Sequence, residues 1–177
     1  AYVGGGEFKQ PLMLDDYGIG FDGATPVPKL VLGPSVNCKG ETSLGPVRAP
    51  VNVNLGNLAS ISDQGPFNNI AVPGLKSFYA FSELYAAANP YYGRFAPDQN
   101  TPLINLTAAI DATFFSLWLG SNDILGYAFA GGASDSITGI TTFGYLYDQI
   151  LQACINNQPG AYDPAKGVVL NVPNILN

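Results

Sequence analysis

The feature that most constrains the fold is an apolar run that stops abruptly at a pair of polar side chains. Residues 113–119 read TFFSLWL, and residues 120–123 read GSND. A β-branched and aromatic run with hardly a polar side chain is typical of a strand covered on both faces within a parallel sheet. A glycine followed by short polar side chains is typical of the turn from such a strand into a helix. The sequence therefore predicts a buried strand with Asn122 and Asp123 at its carboxyl end.

Four further segments extend this pattern into alternating strands and helices. Residues 68–72 and 166–172 are short apolar stretches that predict two more strands. Residues 75–88 and 141–158 carry apolar side chains on one stripe at helical spacing, which predicts two helices. Strands that alternate with helices favour crossover connections and a mainly parallel sheet with helices on both faces. We therefore expect an α/β protein with a three-layer α/β/α architecture.

The first third of the chain differs from the rest. Residues 1–68 are rich in glycine and proline, which break helices repeatedly. We expect long loops here, with short extended pieces at 29–32 and 51–55. No internal repeat or boundary is visible in the 177 residues. The sequence therefore predicts a single domain, 1–177, made of a loop-rich part, 1–68, and a βαβ core, 69–177.

Composition excludes several classes of protein. Apolar residues make up 47% of the chain and charged residues only 11%, so we expect a folded core and not a disordered chain. The net charge of -6 leaves no excess of Lys or Arg to neutralise phosphates, which argues against nucleic-acid partners. The longest apolar stretches are far shorter than the roughly 20 residues that a membrane-spanning helix needs.

No metal site and no cofactor are expected. The chain has no histidine, and Cys38 and Cys154 belong to no metal-binding spacing. A G-x-G-x-x-G match at residues 18–23 is followed by Pro26 and Pro28, so it cannot open the helix that a dinucleotide site requires. The two cysteines fit a disulfide in an oxidising compartment about as well as two separate buried thiols.

Flexible or polar residues follow three of the predicted strands at their carboxyl ends. They are Gly74, the run 120–123, and the pair at 173–174. Ligands of open parallel sheets bind at the carboxyl ends of the strands. We therefore expect these residues to share one edge of the sheet.

Two of these segments together resemble blocks II and III of the SGNH (GDSL-type) ester hydrolases. They are NIAVPG, residues 69–74, and GSND, residues 120–123. The chain also resembles GDSL-like hydrolases of Bacteroidetes surface lipoproteins, in the same order, over GGGEFKQPLM (4–13), NPYYGRF (89–95), FFSLWLGSNDILGYAFAGG (114–132) and AKGVVLNVPN (165–174). The resemblance covers nearly the whole chain, and 114–132 is its most specific part. It implies the flavodoxin-like fold of the SGNH hydrolases.

The resemblance also implies a catalytic site. In this family a glycine N–H, an asparagine amide and the N–H of the nucleophilic serine form the oxyanion hole. By matching position, the first two donors fall on Gly74 and Asn122. Ester hydrolysis places negative charge on the carbonyl oxygen, and each preorganised donor stabilises that charge by about 3–4 kcal/mol. Asp123 is expected to cap the following helix or to brace its neighbours.

The chain departs from the family in two blocks. The serine-bearing first block, upstream of GGGEF in the family, and the D-x-x-H block near the C-terminus are both absent. A serine at its normal pKa needs a base, and without histidine no Ser-His arrangement forms. Two hypotheses follow. The chain is the middle region of a longer serine ester hydrolase, inactive alone because nucleophile and base lie elsewhere, or it is a non-catalytic surface protein of the same fold that binds a polysaccharide or a lipid.

The expected partners follow from the same resemblance. The ligand would be an ester-bearing small molecule, a lipid or an acylated glycan. The resemblance to lipoproteins implies export to the periplasm or the cell surface. If the family's central strand is missing, the sheet is incomplete and its backbone edges are unpaired. In that case we expect a homodimer or association with the missing flanking segments.

Overall fold

A computed structural model describes residues 7–110, 112–133, 135–156 and 164–172. The chain divides into two units, one formed by residues 12–60 and the other by residues 1–11 with 61–177. Within the described residues, no helix is both long enough and apolar enough to cross a membrane.

Residues 12–60 form two antiparallel hairpins. Their strands are β1 (Gly20–Asp22), β2 (Thr25–Val27), β3 (Leu30–Val36) and β4 (Thr42–Arg48). β1 pairs with β2, and β3 pairs with β4 in a register that places Gly33 opposite Gly45. The extended piece predicted at 29–32 is the beginning of β3, which continues to Val36.

The extended piece predicted at 51–55 does not form a strand. The chain enters a 3₁₀ helix there, Leu55–Leu58, because the Asn54 side chain accepts the backbone N–H of Gly56 at 3.0 Å. The fully buried Asn57 then holds the unit together. Its side-chain oxygen accepts the N–H of Leu14 at 2.6 Å, and its amide nitrogen donates to the carbonyl of Gly18 at 3.3 Å.

The second unit contains one parallel strand pair and all of the α-helix described. Its regular elements, in chain order, are α1 (Tyr85–Ala88), α2 (Pro90–Gly93), α3 (Thr107–Ile110), β5 (Phe114–Leu117), α4 (Ser121–Phe129), α5 (Ile140–Ile155) and β6 (Lys166–Val169). The 3₁₀ helices of this unit are Ser62–Gln64, Ser77–Phe81 and Leu103–Leu106. β5 and β6 pair in parallel, and α4 and α5 lie between them in the sequence, as the predicted alternation of strand and helix requires.

The predicted three-layer α/β/α fold with a mainly parallel sheet is wrong. Within the described residues, each sheet has two strands, and two of the three pairs are antiparallel. Residues 68–72, predicted as a strand, belong to no sheet; the N–H of Asn68 donates instead to the carbonyl of Lys9 at 2.9 Å. An apolar run indicates what a segment is suited to, but a sheet also needs a neighbouring strand that the run itself does not reveal.

The burial of β5 also differs from the prediction. Phe114 and Ser116 are exposed, whereas Phe115 and Leu117 are half-buried, so β5 is covered on one face. The covered face packs against a small cluster of buried residues, Ala80, Leu119 and Ile150. The run TFFSLWL therefore has the apolar composition of a buried strand, but among the described residues it forms a half-exposed strand of a two-stranded sheet.

The helix predicted over 75–88 is interrupted. Its first part is the 3₁₀ helix Ser77–Phe81 and its last part is α1. This helical stretch ends at Asn89, whose side chain accepts the N–H groups of Tyr91 at 2.9 Å and Tyr92 at 3.2 Å and so begins α2. The helix predicted over 141–158 is confirmed as α5 within the described residues, with Ile150 buried on its apolar stripe.

The main core of the second unit is aromatic. Its buried members are Ile61, Phe67, Val72, Tyr85, Ala86, Tyr92, Phe95, Ala96 and Leu103. The rings of Tyr85 and Tyr92 stack at 5.8 Å between centroids, and Phe95 meets Tyr92 edge-on at 5.4 Å. Leu75 packs against this core and also against the smaller cluster beside β5. The residue that follows Gly74 is therefore held by both clusters.

Both cysteines are free thiols. Cys38 is exposed, and Cys154 is half-buried on α5. Burial raises the pKa of the Cys154 thiol. Of the two alternatives left open by the sequence, the structure has separate thiols and no disulfide.

Candidate functional site

The strand-to-helix turn after β5 requires a glycine. Leu119 is buried, and Gly120 follows it with φ 116°, a conformation that residues with a Cβ rarely adopt. A Cβ at position 120 would lie 2.7 Å from a methyl of Val172 and 2.9 Å from the ring of Phe143. Glycine thus lets the chain reverse close to its neighbours, and α4 begins at the next residue, Ser121.

Gly74 lies in a second tight turn. The N–H of Leu75 donates to the carbonyl of Val72 at 3.3 Å, and Gly74 has φ 78°. Proline followed by a glycine of positive φ is the pattern of a type II turn. Among the described residues other than its two chain neighbours, no atom would lie within 4 Å of a Cβ at Gly74, so the side on which a side chain would lie is open. Within the described residues its N–H has no hydrogen-bond partner.

The first turn of α4 contacts the segment that follows Gly74. Nδ2 of Asn122 donates to the carbonyl of Leu75 at 3.2 Å. The asparagine amide therefore lies at the residue next to Gly74. This bond uses one of the two N–H groups of the amide.

Asp123 is buried and braces the same segment. Its side chain is 2% exposed, and Ser77 is fully buried against it. The carboxylate accepts the N–H of Ser77 at 3.0 and 3.2 Å and the hydroxyl of Ser77 at 2.6 Å. Asp123 makes no side-chain cap for α4, so of the two predicted roles the brace is the one confirmed.

An ion pair lies beside this contact. Nζ of Lys76 lies 2.8 and 3.0 Å from the two carboxylate oxygens of Asp135. The hydrogen bond from Lys76 lowers the pKa of the Asp135 carboxyl below its ordinary value of 3.8, and the N–H of Ser136 lowers it further. The backbone N–H of Thr138 donates to the carbonyl of Asp123 at 3.1 Å. The loop after α4 is thus bonded both to Lys76 and to the first turn of α4.

Sequence reasoning found only part of this arrangement. It named Gly74, Asn122 and Asp123, but it missed Ser77 and the ion pair of Lys76. Lys76 and Ser77 form no recognisable motif in the sequence, because their roles depend on distant partners. Asp123, the partner of Ser77, lies 46 residues away. The pair predicted to share the site at 173–174 lies outside the described residues.

An apolar cavity of about 560 Å³ lies next to the site. Leu75 and Leu119 line it, whereas Gly74 and Asn122 do not. Both proposed donors therefore adjoin a lining residue: Gly74 precedes Leu75 in the chain, and Asn122 donates to the carbonyl of Leu75. The pattern of the sequence predicted neither the cavity nor its position.

The chemistry available at this site is hydrogen-bond donation. Gly74 offers a backbone N–H and Asn122 an uncharged amide, both suited to an oxygen that becomes anionic. The hydroxyl of Ser77 is buried and donates to Asp123, so it is not placed to attack a substrate. No group of three or more His, Cys, Asp or Glu side chains able to hold a metal ion occurs in the described ranges.

Comparisons with known proteins leave the function to be argued from this geometry and from the sequence. No protein-family model, no curated protein and no solved structure matches the chain.

Proposed function

We propose that this chain is the oxyanion-hole region of an SGNH/GDSL-type carboxylic ester hydrolase, with Gly74 N–H and Asn122 Nδ2 as two of the donors. The nucleophilic serine and the histidine base would come from segments outside residues 1–177. The substrate would be an ester-bearing small molecule, a lipid or an acylated glycan. The resemblance to surface lipoproteins supports a location of this activity in the periplasm or at the cell surface.

One observation carries the proposal more than any other. Asn122 donates to the carbonyl of Leu75, so a neutral amide is held beside the Gly74 turn although 48 positions separate Asn122 from Gly74 in the sequence. The N–H of Gly74 has no hydrogen-bond partner among the described residues, and the side on which its side chain would lie is open, which supports room for an acyl oxygen. Leu75, packed against two clusters, and the Asp123 brace fix both donors before a ligand arrives.

Preorganisation is what makes such donors effective. A donor that is already aimed at the position of the developing charge needs no reorganisation during the reaction. Glycine allows close approach of the backbone, and the asparagine amide adds a donor without adding a charge that water would screen. These residues stabilise the transition state through hydrogen bonds but do not form a covalent bond to the substrate.

The test is the turnover of p-nitrophenyl acetate by the parent protein that contains the flanking segments. Asn122→Ala should lower kcat by roughly 10²–10³-fold, because one oxyanion donor is lost. Asn105→Ala, at an exposed asparagine away from the site, is the matched control and should keep full turnover. Thermal unfolding of both variants shows whether each is folded.

Two outcomes would count against the proposal. Unchanged turnover in folded Asn122→Ala would remove Asn122 from the oxyanion hole. A parent protein that binds acylated glycan or lipid but turns over no ester would favour the alternative, a non-catalytic binding protein.

A further inference from the structure

The tight turn of residues 72–75 has one rotation that its anchored ends do not fix. Val72 is buried in the main core, and Leu75 packs against both clusters, so the position of the turn is set. The peptide between Pro73 and Gly74 can still rotate about the bonds on either side of it. Such a rotation interconverts type II and type I turns, and a Pro-Gly pair is compatible with both.

This rotation decides where the N–H of Gly74 points. The carbonyl of Pro73 and the N–H of Gly74 belong to one planar trans peptide, so they point in opposite directions. Gly74 has φ 78°, as in a type II turn, whereas a type I turn has φ of about −90° at the same position. Inverting the peptide would exchange the directions of the two groups, and the proposed oxyanion donor would then face away from its ligand.

The side chain of Asn89 holds the carbonyl of this peptide. Its Nδ2 donates to the carbonyl oxygen of Pro73 at 3.2 Å and to the hydroxyl oxygen of Tyr85 at 2.9 Å. Its Oδ1 accepts the N–H groups of Tyr91 at 2.9 Å and Tyr92 at 3.2 Å. The oxygen thus faces two donors and the nitrogen faces two acceptors, so only one orientation of the amide satisfies all four hydrogen bonds.

The hydrogen-bond partners of Asn89 belong to the main core. Tyr85 is buried, and its ring stacks with those of Tyr79 at 5.1 Å and Tyr92 at 5.8 Å between centroids. Burial raises the pKa of Tyr85 to about 12, so its hydroxyl is uncharged at neutral pH. Asn89 therefore connects the peptide that carries the Gly74 N–H to a rigid part of the protein.

We propose that Asn89 is a positioning residue for the oxyanion hole: its amide holds the Pro73 carbonyl and so keeps the N–H of Gly74 directed at the ligand. Asn89 acts through this peptide and not through contact with the substrate. The inference rests on the proposed function, in which the Gly74 N–H is a donor, but the orientation of the peptide can be measured without any reaction. A preorganised donor lowers the barrier only while it points at the developing charge, so loss of Asn89 should change kcat more than KM.

Two substitutions separate this role from the capping of α2. Asn89→Ser and Asn89→Asp both keep an oxygen that can accept the first N–H groups of α2, since Ser and Asp cap helices about as well as Asn. Both remove the donor to the Pro73 carbonyl. In Asn89→Asp a carboxylate oxygen would also face that carbonyl and repel it, whereas the inverted peptide would donate the Gly74 N–H to the carboxylate. Asn105→Asp adds the same charge at an exposed asparagine and is the control.

The orientation of the peptide is measured by the nuclear Overhauser effect between Hα of Pro73 and the N–H of Gly74 in the 177-residue chain. In a type II turn ψ of Pro73 is about +120°, which brings these two hydrogens together, and in a type I turn it is about −30°, which moves them apart. We expect a strong effect in the unmodified chain and in Asn105→Asp, a weaker one in Asn89→Ser and the weakest in Asn89→Asp. Thermal unfolding shows that each variant is folded.

Turnover of p-nitrophenyl acetate by the parent protein measures the consequence for catalysis. Asn89→Asp should lower kcat by about 10²-fold, close to the loss of a whole oxyanion donor, and Asn89→Ser should lower it by about tenfold. KM should change by less than about threefold in both variants. Asn105→Asp should keep full turnover.

The two measurements distinguish failure of this inference from failure of the proposed function. An Overhauser effect between Pro73 and Gly74 that is as strong in folded Asn89→Ser and Asn89→Asp as in the unmodified chain would overturn the positioning role, even if kcat falls. A weakened effect with unchanged kcat in the parent would show that Asn89 orients the peptide and would reject Gly74 as an oxyanion donor. A weakened effect together with a lower kcat and a nearly constant KM supports both.

Discussion

At the scale of single residues, Asp123 is the residue that holds the site together. A buried carboxylate is costly unless hydrogen bonds replace the water that it loses. Here the neutral N–H and hydroxyl of Ser77 supply those bonds, and both residues are almost completely buried. Ser77, three residues after Gly74, therefore has a structural role, and its hydroxyl is already engaged.

Removing this carboxylate should destabilise the fold. Asp123→Ala leaves the buried N–H and hydroxyl of Ser77 without acceptors, and we expect a loss of about 2–3 kcal/mol in the free energy of unfolding. Urea denaturation of the 177-residue chain measures it. Asp148→Ala, an exposed aspartate on α5, is the control and should change stability by less than about 0.5 kcal/mol. Equal effects of the two substitutions would show that the brace contributes nothing.

The ion pair of Lys76 and Asp135 predicts a pH dependence. The pKa of Asp135 is lower in the folded chain than its ordinary value of 3.8, so the folded state binds the proton less well than the unfolded state. The stabilisation is therefore present above about pH 4 and is lost as the pH falls through the lower, folded pKa.

Asp135→Asn should remove this pH dependence. The urea midpoint of the variant should lie below that of the unmodified chain at neutral pH, and the difference should shrink as the pH falls below about 4. Asp148→Asn should show no difference at either pH. A midpoint difference for Asp135→Asn that stays constant into acid would mean that the ion pair is not its cause.

At the scale of the element, α5 shows how burial and not composition decides what a side chain contributes. Ile150 and Ile140 lie on the same helix, yet Ile150 is 4% exposed and Ile140 is 84% exposed. Ile150 packs with Ala80 and Leu119 in the cluster that covers β5. Ile140 is the first residue of the helix and projects into solvent.

These two isoleucines form a matched pair of substitutions. Ile150→Ala should cost about 2–4 kcal/mol, because it removes buried methylene groups and leaves a cavity beside β5. Ile140→Ala should cost less than about 0.5 kcal/mol. Urea midpoints and the slopes of the transitions measure both. Similar losses at the two positions would mean that α5 does not pack on β5 through the Ile150 face.

The sequence allowed the local elements to be predicted better than their arrangement. The strand at Phe114, the glycine turn at Gly120 and the apolar stripe of α5 are set by neighbouring residues, and all three occur in the structure. The sheet could not be predicted, because pairing depends on distant segments, and among the described residues the run 68–72 has no strand beside it. The Gly/Pro-rich third also contains two hairpins, where short strands tolerate glycine and proline that helices do not.

The candidate site was predictable only in its residue types. Gly74 and Asn122 were identified through a resemblance to a family, and no pattern in the sequence alone shows that Asn122 contacts Leu75. The brace between Ser77 and Asp123 needed coordinates, because a serine after a lysine is ordinary in any loop. Contacts between segments that are distant in the sequence cannot be predicted from local patterns.

At the scale of the whole molecule, the surface is poor in charge and rich in apolar side chains. Charged residues are 11% of the chain, and large side chains such as Leu32, Leu44 and Phe129 are more than 70% exposed. Monomeric soluble proteins rarely expose large contiguous apolar patches. A chain with such exposed apolar side chains is suited to association with a further polypeptide.

The whole chain should be unable to hydrolyse esters on its own. It contains no histidine, so no serine can transfer its proton to an imidazole. The two proposed donors can stabilise an oxyanion, but the chain supplies no activated nucleophile to form one. Hydrolysis therefore depends on attack by water alone. We therefore expect p-nitrophenyl acetate to be hydrolysed at the buffer rate in the presence of the 177-residue chain. The parent protein, assayed beside it, should show turnover that falls as a histidine base is protonated below about pH 6.5. Turnover by the 177-residue chain with that same pH profile would show that the assignment of nucleophile and base to other segments is wrong.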